Sequence, residues 1–262
     1  MGNHEFNAIA WTTPHPDKPG EFLRAHTDKN LKQHRAFLEQ VGEGSERHQD
    51  MLEWFKSLPL YLELDGVRVI HACWHEPSLQ ILAPLLDDKA CLRAQAWPAV
   101  TEKGSAPYDA LETLLKGLEI PLPDGHEFLD KDKHPRRHIR TQWWNTEYLT
   151  YRDIAEVPPE ILAQIPHDPA PADLMPGYAG DKLLFVGHYW RTGTPAPLSD
   201  HVACLDYSIA AEAITQSTSP DQTSIGTTHT RTTTPIEPGK LCAYRYNGER
   251  KLDPNAFVWV SE

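Results

Sequence analysis

Residues 58–75, LPLYLELDGVRVIHACWH, leave the chain the least freedom. Pro59 ends whatever helix precedes it, because proline lacks the N–H that a helix interior needs. Tyr61 to Leu64 and Val67 to Ile70 then flank an Asp65-Gly66 pair. That dipeptide suits a two-residue hairpin whose central positions both take positive φ. The second strand runs straight into His71. A later stretch, DKLLFVGHYW, repeats the plan: Leu183 to Val186 form a short apolar strand that stops at Gly187-His188. HVACLDY reads as a further buried strand, and a last hairpin is expected between LCAYRY and ERKL across Asn247-Gly248, before FVWV.

The rest is mostly helix and loop. Leu31, His34, Arg35, Leu38 and Val41 recur at helical spacing, as do Met51, Leu52, Phe55 and Leu58. From residue 78 to 176, SLQILAPLL and YDALETLLKGLE predict helices, PLPDGHEF and HDPAPADLMPG interrupt them, and the whole segment reads as an inserted helical cap. Residues 213–238 are rich in Ser and Thr without apolar periodicity, so a flexible surface loop is expected there.

Bulk properties exclude several function classes. With 262 residues the chain can bury one large core. Its 37 acidic and 25 basic side chains give a net charge of −12, which opposes a phosphate backbone, so no nucleic-acid partner is expected. No stretch approaches the roughly 18 apolar residues of a membrane helix. The four cysteines, Cys73, Cys91, Cys204 and Cys242, contain no CxxC pair, which suits a reduced, cytoplasmic protein better than a disulfide framework or thiolate zinc site.

Histidines stand where strands end. His71 follows VRVI, His188 follows LLFVG, and Asn3-His4 open the chain in the run MGNHE. Loops at the carboxyl ends of strands collect catalytic groups in open α/β sheets. Neutral imidazole and an amide oxygen suit a borderline divalent metal. With fourteen histidines in the chain, one after a strand is unremarkable; GNHE, HACWH and GHYW in that order carry more weight.

The ordered set resembles the calcineurin-like metallophosphoesterases, more closely bacterial relatives of the phosphoprotein phosphatases and symmetrical dinucleoside tetraphosphatases. The resemblance covers essentially the whole chain, including the CLDYS, AYRYNGE and FVWV ending. It implies an α/β fold, a two-sheet β-sandwich flanked by helices, with the helical insertion at 78–176. It also implies a hydrolase in which two divalent ions activate water for in-line attack on phosphorus. Manganese is the first expectation for those ions, with iron, zinc, nickel or cobalt as others. Asn3, His71 and His188 would then be metal ligands, and His4 the histidine that contacts phosphate or protonates the leaving oxygen. For Glu5 a supporting hydrogen bond is expected rather than ligation. The implied substrate is a phosphorylated small molecule, a dinucleoside polyphosphate or a phosphoprotein.

Two motifs of that family, Gly-Asp-x-His-Gly and Gly-Asp-x-x-Asp-Arg-Gly, do not occur in the sequence. They would supply the first metal's ligands, the bridging carboxylate and a phosphate-gripping arginine. Three neutral ligands alone should hold a divalent ion weakly, since no anion offsets its charge. The expectation is therefore an N-terminally incomplete fold, with Met1 an internal methionine of a longer enzyme or the first residue of a truncated gene, and little activity in these 262 residues. A catalytically dead binding module and a mononuclear metal binder remain as alternatives. Further candidates are His75 at the site mouth and Arg191 as a phosphate contact. Asp206 is a possible brace for a site histidine. Arg136, Arg137 and Arg140 beside Trp143 and Trp144 read as cap packing or as a lid for an anionic substrate.

Overall fold

The computed structural model describes residues 1–130, 133–145, 147, 150–175, 177–209 and 238–261. The Ser/Thr-rich loop lies outside the described residues except for its last position. Three helices open the chain: α1 (Asn3–Thr12), α2 (Asp28–Val41) and α3 (Glu46–Lys56). The helical spacing in α2 and α3 was legible; α1 is a helix that the sequence reading left unassigned. Thr27 and Ser45 cap α2 and α3 by accepting the amides of Asn30 and His48, each such cap contributing about 1 kcal/mol.

The first hairpin forms where the pattern puts it, as β1 (Tyr61–Glu63) antiparallel to β2 (Val67–Ile70). Its turn differs from expectation, since only Gly66, and not Asp65, has a positive φ. The Leu64 amide donates to the Val67 carbonyl at 2.8 Å, so one left-handed residue closes the turn.

The chain next builds the segment expected to be helix and loop. It contains α4 (Glu76–Leu82), α5 (Trp97–Thr101) and α6 (Ala106–Lys116). Four short strands were not foreseen there: β3 (Glu119–Pro121), β4 (Phe128–Leu129), β5 (Pro135–Arg136) and β6 (His138–Arg140). They form two ribbons, β3 with β6 and β4 with β5. Short helices α7 (Tyr151–Ile154) and α8 (Pro159–Leu162) complete the segment.

The chain then returns to the first sheet as β7 (Leu183–Val186) and β8 (Val202–Cys204), giving the order β1-β2-β7-β8 with β2, β7 and β8 parallel. Parallel neighbours need a long crossover, and the 78–176 segment lies within it. A second sheet takes the order β11-β10-β9 from β9 (Asp206–Tyr207), β10 (Lys240–Tyr244) and β11 (Phe257–Ser261). The expected pairing of LCAYRY with ERKL does not form, because β10 pairs with β11, Cys242 opposite Trp259. Glu249 instead accepts from Tyr244 Oη (2.6 Å) and the Asn247 amide (2.8 Å), folding that stretch into a loop.

The molecule is thus a mixed α/β protein with several sheets. Ile70, Leu184, Val186, Val202 and Cys204 share one apolar cluster with Phe6 and Ile9 of α1, Leu52 of α3 and Leu111 and Leu114 of α6. Val67, Leu183, Phe185 and Ala203 join Tyr207, Cys242 and Phe257 of the second sheet in another. Strand β7 is therefore covered on both faces, which explains its uninterrupted Leu-Leu-Phe-Val. Each fully buried leucine contributes roughly 1.5–3 kcal/mol. The four cysteines are buried and unpaired. Among the described residues no helix is long and apolar enough to cross a membrane.

Candidate functional site

Strand register brings two of the predicted histidines together. Val69 lies opposite Phe185 in the parallel β2–β7 pair, so both strands end at the same level and release their loops side by side. The Gly187 amide donates to the His71 carbonyl at 2.8 Å, fixing the two loops to each other. The His71 and His188 rings then meet edge to face, with centroids 5.3 Å apart.

Helix α1 supplies the third member. Its N-cap is Gly2, whose amide donates to Glu5 Oε2 at 2.8 Å, the supporting bond expected of Glu5. Asn3, the first helical residue, places Oδ1 2.9 Å from His71 Nε2. The backbone at position 2 is closely approached, since a Cβ there would lie 2.6 Å from Glu5 Oε2 and 2.8 Å from His71 Cε1 and would push these side chains aside. Asn3, His71 and His188, far apart in sequence, form one contiguous group.

The surroundings keep this group uncharged. Burial is the main cause that lowers His71 to about 4, with Glu5 opposing and the chain's amino terminus and His4 reinforcing the shift. His188 falls to about 3, again chiefly through burial, then through His71, Arg140, Lys116 and His4. At neutral pH both rings carry an unprotonated nitrogen suited to a metal. His188 has φ +69 and Trp190 φ +43, left-handed values that cost non-glycine residues about 1–3 kcal/mol each and cluster at functional sites.

The other candidates fall into two sets. His4 is exposed on the first turn of α1, near enough for its charge to bear on both His71 and His188. Arg140, flagged only within a basic run, also bears on His188; its guanidinium pairs with Glu119 at 3.0 Å, while its buried Nε has no hydrogen-bond partner among the described residues. His75 is engaged elsewhere, its Nδ1 2.8 Å from Ser78 Oγ at the start of α4. Arg191 pairs with Glu156 at 3.6 Å, and its amide donates to the Asp206 carbonyl. Asp206 accepts the Ser208 amide through Oδ1. Arg136 pairs with Asp130 and Arg137 with Glu127.

No family model, curated protein or solved structure matches this chain. The chemistry must be judged from the donors themselves.

One amide oxygen and two neutral imidazoles are donor types that could hold one divalent ion, with His71 Nε2 now engaged by Asn3 Oδ1. Among the described residues no three His, Cys, Asp or Glu side chains gather as a metal site. Glu5, whose charge bears on His71, accepts the Gly2 amide. The sequence reading also passed over Tyr189. Its hydroxyl donates to the Ala72 carbonyl at 2.9 Å and accepts from Trp143 Nε1 at 2.7 Å. The only signal for it was its place beside His188 in GHYW.

Proposed function

We propose that this chain carries one flank of a binuclear metallophosphoesterase centre, acting on a phosphoester or phosphoanhydride. The observation that supports the reading is the convergence of Asn3, His71 and His188, with Asn3 Oδ1 2.9 Å from His71 Nε2 and the two imidazoles in edge contact. The apolar cluster shared by the two sheets supports a sandwich of the metallophosphoesterase kind.

In this reading Asn3, His71 and His188 hold a divalent ion, manganese first. When bound, such ions offset charge on phosphoryl oxygens and acidify water. His4, exposed beside the group, gives a proton to the leaving oxygen. Arg191 turns from Glu156 to the phosphate, and Arg140 adds a second cation near His188. The substrate is a phosphorylated small molecule, a dinucleoside polyphosphate or a phosphoprotein.

These 262 residues alone should turn over poorly, because a neutral donor set lacks the carboxylates that a metal pair needs. The same donor count favours a second reading, a mononuclear metal-binding protein. Purified chain is incubated with manganese, then assayed for bound metal and for hydrolysis of p-nitrophenyl phosphate. One weakly held ion and background hydrolysis are expected. Two ions with robust turnover would overturn the one-flank reading, and no uptake at all would overturn the metal centre.

A further inference from the structure

The loops that carry His71 and His188 are joined by more than their backbones. Tyr189 follows His188, and Ala72 follows His71. The Tyr189 hydroxyl donates its one proton to the Ala72 carbonyl at 2.9 Å, while its lone pair accepts from Trp143 Nε1 at 2.7 Å. All three residues are buried, Trp143 and Ala72 completely. Trp144 meets the tyrosine ring edge-on at 5.0 Å. A Cβ on Gly117 would sit 2.7 Å from the same hydroxyl, so the end of α6 closes over it as well.

Such a chain of donors is stronger than its links taken singly, because each bond polarises the next in a low-dielectric interior. It also sits where restraint is needed. His188 and Trp190 hold left-handed backbone on either side of Tyr189, a conformation that persists only when the surroundings enforce it. The amides of Ala72 and Cys73 both donate to the Leu114 carbonyl, so the His71 loop is held from α6 too.

We propose that Tyr189 is a positioning residue, a clamp that sets the separation and orientation of His71 and His188 and ties both to Trp143 in the 78–176 segment. It touches no substrate; it acts through the two imidazoles. As a determinant of metal affinity, this role rests on the metal-centre reading above. As a determinant of imidazole geometry, it does not.

The test uses the full chain with Tyr189→Phe, which removes the donor to Ala72 and the acceptor for Trp143 while keeping the ring. Trp143→Phe is the second variant, and Ile165→Val, a fully buried site distant in sequence, is the control for general loosening. Two signals are read at neutral pH after circular dichroism confirms folding: imidazole nitrogen resonances by NMR and the visible absorption of added cobalt(II). Tyr189→Phe should move the His71 and His188 resonances and weaken cobalt binding roughly tenfold or more, the scale seen when a group orienting a metal ligand is removed. Trp143→Phe should move the same resonances less, and Ile165→Val should move neither. Wild-type resonances in a folded Tyr189→Phe overturn the clamp; if that variant does not fold, wild-type resonances in Trp143→Phe overturn it. If the unmutated chain takes up no cobalt, the metal centre fails while the resonances still decide the clamp.

Discussion

Two pairs of histidines, one half-buried and one buried, sit in different parts of this molecule, and only the half-buried pair makes a candidate site. His71 and His188 stand at the ends of parallel strands, in contact with each other and with Asn3. His34 and His48 lie in α2 and α3, among Trp11, Phe37 and Phe55. His34 and His48 each leave Nε2 buried with no hydrogen-bond partner among the described residues. His34 is also lowered to about 4, mainly by burial, much as His71 is. A pKa depressed by desolvation, as at His34, therefore does not by itself mark a site. Convergence does, because a ligand needs several donors at one point, and strand register supplies that where a helix face surrounded by aromatic rings does not.

Metal affinity should separate the pairs most. His71→Ala is expected to weaken cobalt binding by about a hundredfold, close to 2.7 kcal/mol. His48→Ala should leave it unchanged by calorimetric titration, and equal losses would erase the distinction. Acid should act on His71 and His188 and, in the helical region, through His34. His34 faces Arg24, His48, Glu43 and His4, and its folded pKa of about 4 lies below the ordinary 6.5. Its contribution to stability is thus complete above about pH 6.5 and is lost as pH falls toward 4. In urea melts across that range, His34→Gln should flatten the fall, and an unchanged slope would place the acid sensitivity elsewhere.

A smaller effect is expected at the cap of α3, where Ser45 Oγ accepts the His48 amide. Ser45→Ala should cost about 1 kcal/mol in the same melts and leave cobalt binding intact. Smallest is Lys251→Ala, which breaks an exposed pair with Asp200 and touches neither region. No resolvable change in the melts is expected, so a clear loss would show that surface charge matters here beyond its usual weight.

These contrasts also mark what the sequence could reveal. The Asp65-Gly66 turn and the apolar run of β7 were legible because turn chemistry and two-sided burial leave local traces. From them followed the placement of His71 and His188 after strands. The pairing of β10 with β11 across an intervening loop was not legible, since Asn247-Gly248 offered a nearer turn and the capture of Glu249 by Tyr244 is a tertiary event. Helix α1 was hidden by the motif it contains: reading GNHE as a site drew attention from Phe6, Ile9 and Ala10, which bury one face of a helix. Arg140 and Tyr189 were invisible as site neighbours because the fold, not spacing, brings them to His188 and Ala72.

The crossover between β2 and β7 has a temporal consequence. With 112 residues between Ile70 and Leu183, the first hairpin leaves the ribosome long before its parallel neighbour exists. At about 5–20 residues per second, the wait is roughly six to twenty seconds. Throughout it β2 offers a bare edge to any passing strand. A cell making this protein must shield that edge, and early chain termination within the crossover should yield aggregates in place of soluble fragments.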